Sequence, residues 1–410
     1  MENQKTDKIS YLVFAFAFGV IFISLVSVIF PALIITLLDE SGLETISFEI
    51  GSMAIPVLVA NFSLLVFGIL VYKKKLPNKI ERLFNFVLKF EISKNVALLA
   101  FVGLIFLYIG YFMNDLKTDE ELIFGDYLRV RPTVDNWPSS DNIPFPDLYY
   151  LHVKNFFLKS SIILFQNIRV IPFLASIVTL VLTYLITVEI SKKRFAGLIA
   201  VVILLQSHVF LQFSTISTYD NFWTMFYLLS LYMIWKKRWY ASPISYIASV
   251  FSKPLSAVFL PMTLFFTYRA EIPRKKKIYI TISYVVVAAF AGSAVLILEI
   301  DFGEDVTTGG LSFNSVDLWA GFTTWSFHLR EDVVFLMFIL PLAVSLFLTS
   351  RKGVKQADSI LVLLAGIALA MPLLAAFTDF RLHPYRLVPL LVFFAIGVGT
   401  LFSNKLTRQA

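Results

Sequence analysis

The chain has 410 residues, of which 58% are hydrophobic and only 15% are charged. A soluble domain carries about 25% charged residues, so this composition excludes an ordinary soluble fold and predicts a membrane protein. The net charge of +7 comes from basic residues that lie mostly in short loops, so we expect no nucleic-acid partner. Cysteine is absent, which excludes disulfides, thiolate metal ligands and thiol nucleophiles.

Apolar segments long enough to cross a bilayer recur along the whole chain, since a helical span needs about 20 residues. They are 11–38, 51–72, 95–113, 170–190, 195–213, 221–235, 278–300, 333–350, 360–377 and 387–402. The first of them has no A-x-A-like cleavage site, which predicts a retained span and not a cleaved signal.

One further apolar segment, 242–269, is too short for two full spans. It must nevertheless cross an even number of times, because basic residues flank it on both sides. Ser252-Lys253-Pro254 interrupts it centrally and predicts two short helices that meet partway across, where protein or a water-filled cavity must cover the break. With this pair, the sequence predicts an all-α polytopic protein of about 12 transmembrane helices in one domain over 1–410.

The charges between the spans predict the orientation. Loop 73–94 holds seven Lys and Arg residues, and such loops face the cytoplasm. Segments 39–50, 114–168 and 299–332 are rich in acids, so we expect them outside the cell. The result is a multi-pass plasma-membrane protein with both termini in the cytoplasm. Its first large outer loop, 114–168, combines prolines with aromatic residues and predicts short interfacial helices; the second is 299–332.

Segment 78–92, NKIERLFNFVLKFEI, has apolar residues at helical spacing between basic ones. This amphipathic pattern predicts a helix that lies along the cytoplasmic membrane surface.

Several charged residues stand at the predicted outer rim or within apolar sequence. They are Asp119, Glu120 and Asp126 in TDEELIFGDYLRVRP, Asp220 in FSTISTYDNFW, Lys253 in the broken pair, and Arg381 and Arg386 in TDFRLHPYRLVP. Carboxylates and cations at one depth beside lipid suit a reaction on a phosphate-bearing lipid, since Arg and Lys both bind phosphate oxygens.

Each of these residues also has a plain structural interpretation. Acids in an outer loop are usually solvated, and Asp220 at a helix start would complement the helix dipole. Arg381 and Arg386 could be anchors at the outer interface. Lys253 could extend its amine towards water, but ionisable residues inside a membrane are costly and usually functional. No His and acid spacing indicates a metal site.

The order and placement of these motifs resemble the GT-C superfamily of integral-membrane glycosyltransferases. Within it, the chain is most similar to the protein O-mannosyltransferase and lipid A aminoarabinose transferase group. DEELIFGDYLRVRP resembles the acidic motif of that group's first outer loop, and Arg169 stands at its Arg position before a helix that ends in basic residues. STYDNFW, SKPL and PYRLVPLL follow in the family's order. The resemblance covers roughly 95–400.

The resemblance implies transfer of a sugar, with inversion, from a polyprenyl- or dolichyl-phosphate donor to a hydroxyl of a protein, lipid or glycan acceptor on the outer face. It assigns catalysis to Asp119 and Glu120. It assigns substrate binding to Asp126, Asp220, Lys253, Arg381, Arg386 and Arg169. The sequence requires no cofactor, although a divalent metal at the acids is compatible with it.

Two other functions stay open, as does a catalytically inactive, structural relative. About 12 helices with both termini inside is also a common plan for transporters and flippases, and a broken helix pair is typical of their substrate sites. A glycan polymerase or ligase would likewise have large outer loops and use Arg residues with lipid-linked sugars. Two observations argue against the transporter: no second half-repeat is visible, and the acids gather in an outer loop and not at mid-membrane.

Overall fold

The computed structural model describes residues 8–38, 48–73, 75–117, 126–139, 152–217, 220–238, 240–297, 313–377 and 383–404. In these ranges every regular element is a helix, so the predicted all-α class is confirmed. Six helices of this part of the chain are long and apolar enough to cross a membrane: Lys8–Ile29, Ala54–Val71, Lys94–Phe112, Val170–Ser191, Val333–Arg351 and Gln356–Ala375. Two shorter apolar helices are Arg194–Leu205 and Pro384–Thr400. They are consistent with a polytopic membrane protein, while the total of about 12 spans and the sidedness stay predictions.

In chain order the α-helices are α1 (Lys8–Ile29), α2 (Leu33–Leu38), α3 (Ala54–Tyr72), α4 (Asn78–Lys89), α5 (Lys94–Phe112), α6 (Asp126–Asn136), α7 (His152–Phe165), α8 (Val170–Ser191), α9 (Arg194–Leu205), α10 (His208–Gln212), α11 (Asp220–Trp235), α12 (Ala241–Ser252), α13 (Leu260–Arg269), α14 (Arg274–Ile297), α15 (Ser315–Leu329), α16 (Val333–Arg351), α17 (Gln356–Ala375) and α18 (Val388–Thr400). The 3-10 segments of the described ranges are Asp115–Lys117, Pro254–Phe259 and Pro384–Leu387.

Two of the predicted spans are shorter than the apolar runs that suggested them. The run 11–38 is not one helix, because α1 ends at Ile29 and Pro31 lacks the N–H that a helix interior needs. The run 195–213 is likewise divided, since α9 ends at Leu205 and Ser207 separates it from α10. Hydropathy identifies apolar sequence and does not detect such interruptions.

The predicted break in segment 242–269 is confirmed. Helix α12 ends at Ser252, and Lys253 adopts an extended backbone with φ −157° and ψ 113°. Pro254 explains this conformation, since a proline disfavours the α-helical region for the residue before it. The 3-10 segment Pro254–Phe259 and α13 then follow.

The chain divides into two compact units. Unit 1 comprises Met1–Ala97, Ile186–Val209 and Ser312–Ala410, and unit 2 comprises Leu98–Leu185 and Phe210–Leu311.

In unit 1, α1 packs against α15, α16 and α17, and α18 packs against α9 and α17. Helix α15 occupies residues that were predicted to form the second outer loop. A buried polar contact fixes one end of this bundle: the Ser10 hydroxyl donates to the fully buried Asp358 carboxylate at 2.7 Å and lies 3.2 Å from the Ser350 hydroxyl. Three helices are thereby joined through polar side chains.

In unit 2, α11 and α12 form an antiparallel pair. The Ser242 hydroxyl donates to the Ser230 carbonyl, and the Ser249 hydroxyl donates to the Trp223 carbonyl, both at 2.9 Å. Small serine side chains allow close helix approach in apolar surroundings and supply hydrogen bonds there. The end of α12 therefore lies beside the start of α11.

Two glycines of unit 1 mark places where helices approach closely. A Cβ atom at Gly399 in α18 would lie 2.8 Å from the Ala196 carbonyl oxygen in α9. A Cβ atom at Gly321 in α15 would lie 2.9 Å from the Pro372 Cα in α17. Only a residue without a side chain fits such backbone contacts.

Gly399→Ala is expected to lower the free energy of unfolding by about 1–3 kcal/mol, because overpacking forces the helix backbones apart. Gly19→Ala in α1 is the matched control, since a Cβ there meets no atom within 4 Å and alanine favours a helix over glycine by roughly 1 kcal/mol. Denaturant unfolding of the detergent-solubilised protein measures both. Equal stabilities for the two variants would show that the α9–α18 contact is looser than described.

Candidate functional site

The predicted catalytic acids, Asp119 and Glu120, lie outside the described residues. The predicted substrate ligand Arg381 also lies outside them. Asp126 and Asp220 are the first residues of α6 and α11, and only their backbone is described. The surroundings of the acidic motif are therefore defined by its two flanks.

Both flanks of the acidic stretch are fixed within unit 2. On the N-terminal side, the Asn167 side-chain amide donates to the Leu116 carbonyl at 2.7 Å. On the C-terminal side, Val130 in α6 is buried in a hydrophobic cluster with Ile168 and Phe222. These contacts bring the chain before residue 118, and α6 after residue 125, to the starts of α8 and α11.

Arg169 lies at the same place and is 7% exposed. Its Nε donates to the Thr215 carbonyl at 3.1 Å and its Nη2 to the Thr215 hydroxyl at 2.7 Å. Asn221 in the first turn of α11 donates to the Ser214 carbonyl at 3.0 Å. The guanidinium therefore ties the start of α8 to the chain just before α11, which makes Arg169 a positioning residue in addition to a buried cation.

Lys253 is 6% exposed and closes α12, where its N–H donates to the Ser249 carbonyl at 2.9 Å. Ser249 is in turn bonded to Trp223. Lys253 lies one helical turn beyond Ser249, and Asp220 lies nearly one turn before Trp223. Because α11 and α12 are antiparallel, the Lys253 backbone and the start of α11 are at the same height along the helix pair.

Arg169, Lys253 and the first turn of α11 form what we call the cationic end of unit 2. Two buried cations lie there beside a helix N-terminus, which carries a partial positive charge. Positive charge gathered in this way is suited to an anion.

Lys154 in α7 is a buried cation of unit 2 that the motifs did not indicate. Its side chain is only 1% exposed, and its neighbour Asn155 is equally buried. Helix α7 packs against α6, which follows the acidic stretch, and against α12, which ends directly before Lys253. A lysine between apolar and aromatic residues in HVKNFF is the signal that could have identified it.

Arg386 belongs to unit 1, where it is 8% exposed in the 3-10 segment before α18. Its guanidinium carbon lies 5.9 Å from the centre of the Tyr385 ring. That burial is more than an exposed interfacial anchor would need. Its role in binding the donor phosphate stays a prediction.

Among the described residues, no group of three or more His, Cys, Asp or Glu side chains could hold a metal ion. The acids at which a divalent metal was considered, Asp119 and Glu120, lie outside that part of the chain.

Asp332 in unit 1 is a buried acid that the motifs likewise did not indicate. It is 3% exposed and caps α16, where it accepts hydrogen bonds from the Phe335 N–H at 3.0 Å and from the Ser207 hydroxyl. Burial raises the pKa of the Asp332 carboxyl, and these two hydrogen bonds and nearby His208 oppose the rise. Asp332 thus holds the break between α9 and α10 against the start of α16.

The raised pKa of Asp332 predicts a pH-dependent stability. The folded state keeps the proton to a higher pH than the unfolded state does, so this group's contribution to the free energy of unfolding falls as the pH rises above about 4. Asp332→Asn removes the titration and keeps an oxygen acceptor. Unfolding midpoints of both proteins, measured from acid to neutral pH, should differ by an amount that changes with pH. A constant difference would contradict the assignment.

Comparison with protein families, with curated proteins and with solved structures finds no match for this chain.

Proposed function

We propose that this chain is a membrane glycosyltransferase that transfers a sugar from a polyprenyl- or dolichyl-phosphate donor to an acceptor hydroxyl at the outer membrane face. The observation that carries the proposal is the cationic end of unit 2. Both flanks of the acidic stretch are held next to it, one by Asn167, two residues before Arg169, and the other by packing against Ile168 and Phe222. A carboxylate near buried cations is a combination suited to transfer from a phosphate.

The acid would act as the general base. Asp119 follows Leu116 by only three residues, and the Leu116 carbonyl is bonded to Asn167. As the acceptor oxygen forms its bond to the anomeric carbon, Asp119 takes the hydroxyl proton, and Glu120 orients the acceptor. A positioned base of this kind typically contributes about 10²–10⁴-fold to the rate.

The cations would stabilise the leaving group. The bond between the anomeric carbon and the phosphate oxygen breaks, its electron pair stays on the phosphate, and the lipid phosphate departs as an anion. Lys253 and Lys154 supply fixed positive charge to that anion, and such preorganised charge is often the largest catalytic contribution. Attack opposite the phosphate inverts the anomeric carbon. One carboxylate suffices, because a phosphate leaves without the protonation that an alkoxide needs.

The other predicted ligands would have supporting roles. Asp126 and Asp220 would hold sugar hydroxyls, and Arg169 would position the chain before α11 through Thr215. Arg381 and Arg386 are assigned to the donor phosphate by the resemblance, and separate variants test them. The transfer balances without a cofactor. Chelation of divalent ions during the assay decides whether a metal takes part.

The test is transfer by the purified protein in lipid nanodiscs. The probes are radiolabelled polyprenyl-phosphate mannose and polyprenyl-phosphate glucose, offered with a peptide rich in serine and threonine, and with a lipid extract. We expect label to leave the donor lipid and appear on an acceptor. Asp119→Asn should lower the transfer rate about 10²–10⁴-fold, and Lys253→Met should also lower it.

Asp135→Asn is the matched control, because Asp135 is an exposed acid of α6 whose ion pair with Arg131 is on the surface. Surface pairs contribute little to stability, so this variant should keep the wild-type rate. Unfolding curves show whether each variant is folded. The proposal would be overturned if both donors stayed intact with every acceptor. It would also be overturned if the donor crossed vesicle membranes without sugar transfer, and that result would favour the transporter.

A further inference from the structure

Helix α4 of unit 1 presents large apolar side chains at the protein surface. None of its residues is buried. Leu83 is 64% exposed, Phe86 62% and Ile80 44%. Exposed apolar groups concentrated on a single short helix indicate a surface that something else covers.

These exposed residues share one side of α4. At 100° per residue, Ile80, Leu83 and Phe86 occupy a single arc of the helix, which we call the apolar arc. The side towards unit 1 instead carries Phe84 and Leu88, which are partly buried. The Phe84 ring lies 6.0 Å from the Phe67 ring of α3. The apolar arc therefore points away from the protein.

Basic residues adjoin the apolar arc. Arg82 and Lys89 follow directly next to it around the helix, and Lys79 lies on it in the first turn. All three are exposed. An apolar arc with neighbouring cations is typical of a helix at the boundary between acyl chains and headgroups.

The depth of α4 is set by its neighbours. It follows α3, a candidate span, after the basic residues Lys73 and Lys75, and it precedes α5, another candidate span. A helix of 12 residues is about 18 Å long. Because both chain connections lead into spans, α4 lies where two apolar helices end.

The C-terminal end of α4 is also held by the connection between α8 and α9. The Lys193 ammonium donates to the Leu88 carbonyl, and the Glu91 carboxylate accepts from the Arg194 N–H at 3.1 Å. The centres of the rings of Phe90 and Phe195 lie 4.9 Å apart. A third candidate span, α8, therefore ends at the same level, and these contacts fix the orientation of α4.

We infer that α4, with its flanking lysines, is a binding surface for the anionic phospholipids of the adjacent leaflet. The apolar arc enters the acyl region while Lys73, Lys75, Lys79, Arg82 and Lys89 contact the headgroup phosphates. Charge complementarity selects anionic over zwitterionic lipid, since each basic residue near a membrane surface adds attraction that salt screens.

The absence of cysteine allows a direct test on the full chain in nanodiscs. A fluorophore is attached at Leu83→Cys, on the apolar arc, or at Asn78→Cys, an exposed position on the polar side of α4. Phospholipids brominated on their acyl chains quench only fluorophores that reach the bilayer interior. Brominated phosphatidylglycerol and brominated phosphatidylcholine are compared as trace lipids at low and high salt.

We expect strong quenching at Leu83→Cys and weak quenching at Asn78→Cys. Phosphatidylglycerol should quench several-fold better than phosphatidylcholine at low salt, with a smaller ratio at high salt. Combined Lys79→Gln, Arg82→Gln and Lys89→Gln changes should remove that ratio. Arg274→Gln with Lys275→Gln, two exposed basic residues of α14, should leave it unchanged.

Two results would overturn the inference. If no brominated lipid quenches the fluorophore at Leu83→Cys, the apolar arc lies outside the bilayer and faces a protein. If both lipids quench equally at low salt, α4 enters the bilayer without binding anionic headgroups. Neither result depends on glycosyl transfer, so the proposed function is tested independently.

Discussion

The need to satisfy every backbone and side-chain polar group without bulk water governs this chain. Helices satisfy their own backbone, and they are the only regular elements in the described ranges. At two places where a helix stops inside apolar sequence, a polar side chain lies beside the break. Ser207 and Asp332 meet at the gap between α9 and α10. The Tyr246 hydroxyl, in α12, donates to the Ser256 and Ala257 carbonyls after the Lys253 break, both at 2.9 Å.

The same requirement explains why polar residues accumulate where function is proposed. A helix that stops early exposes backbone groups and a dipole end, and both attract charged side chains or ligands. At the cationic end of unit 2, Arg169 uses two of its N–H groups on Thr215. Arg169 therefore holds two segments of the chain together and also supplies positive charge. Structural and chemical roles coincide in such residues, which is why single substitutions need matched controls.

Part of this arrangement follows from the sequence by simple rules. The break at Lys253 was predictable because Pro254 restricts the residue before it, and the amphipathic character of α4 was visible in its spacing. The burial of Lys154 and Asp332 was not predictable, because it depends on helices distant in sequence. Asp332 is buried against Ser207, 125 residues away. Helix α15 was missed because its apolar stretch is shorter than a full span and has polar neighbours.

The serine contacts between α11 and α12 have a consequence for how this pair can change. Ser242 and Ser249 are separated by about two helical turns, as are the carbonyls of Ser230 and Trp223 that they contact. Sliding one helix along the other would restore equivalent contacts only in whole-turn steps of about 5.4 Å. The position of Lys253 along the helix pair can therefore change only in discrete steps and not continuously.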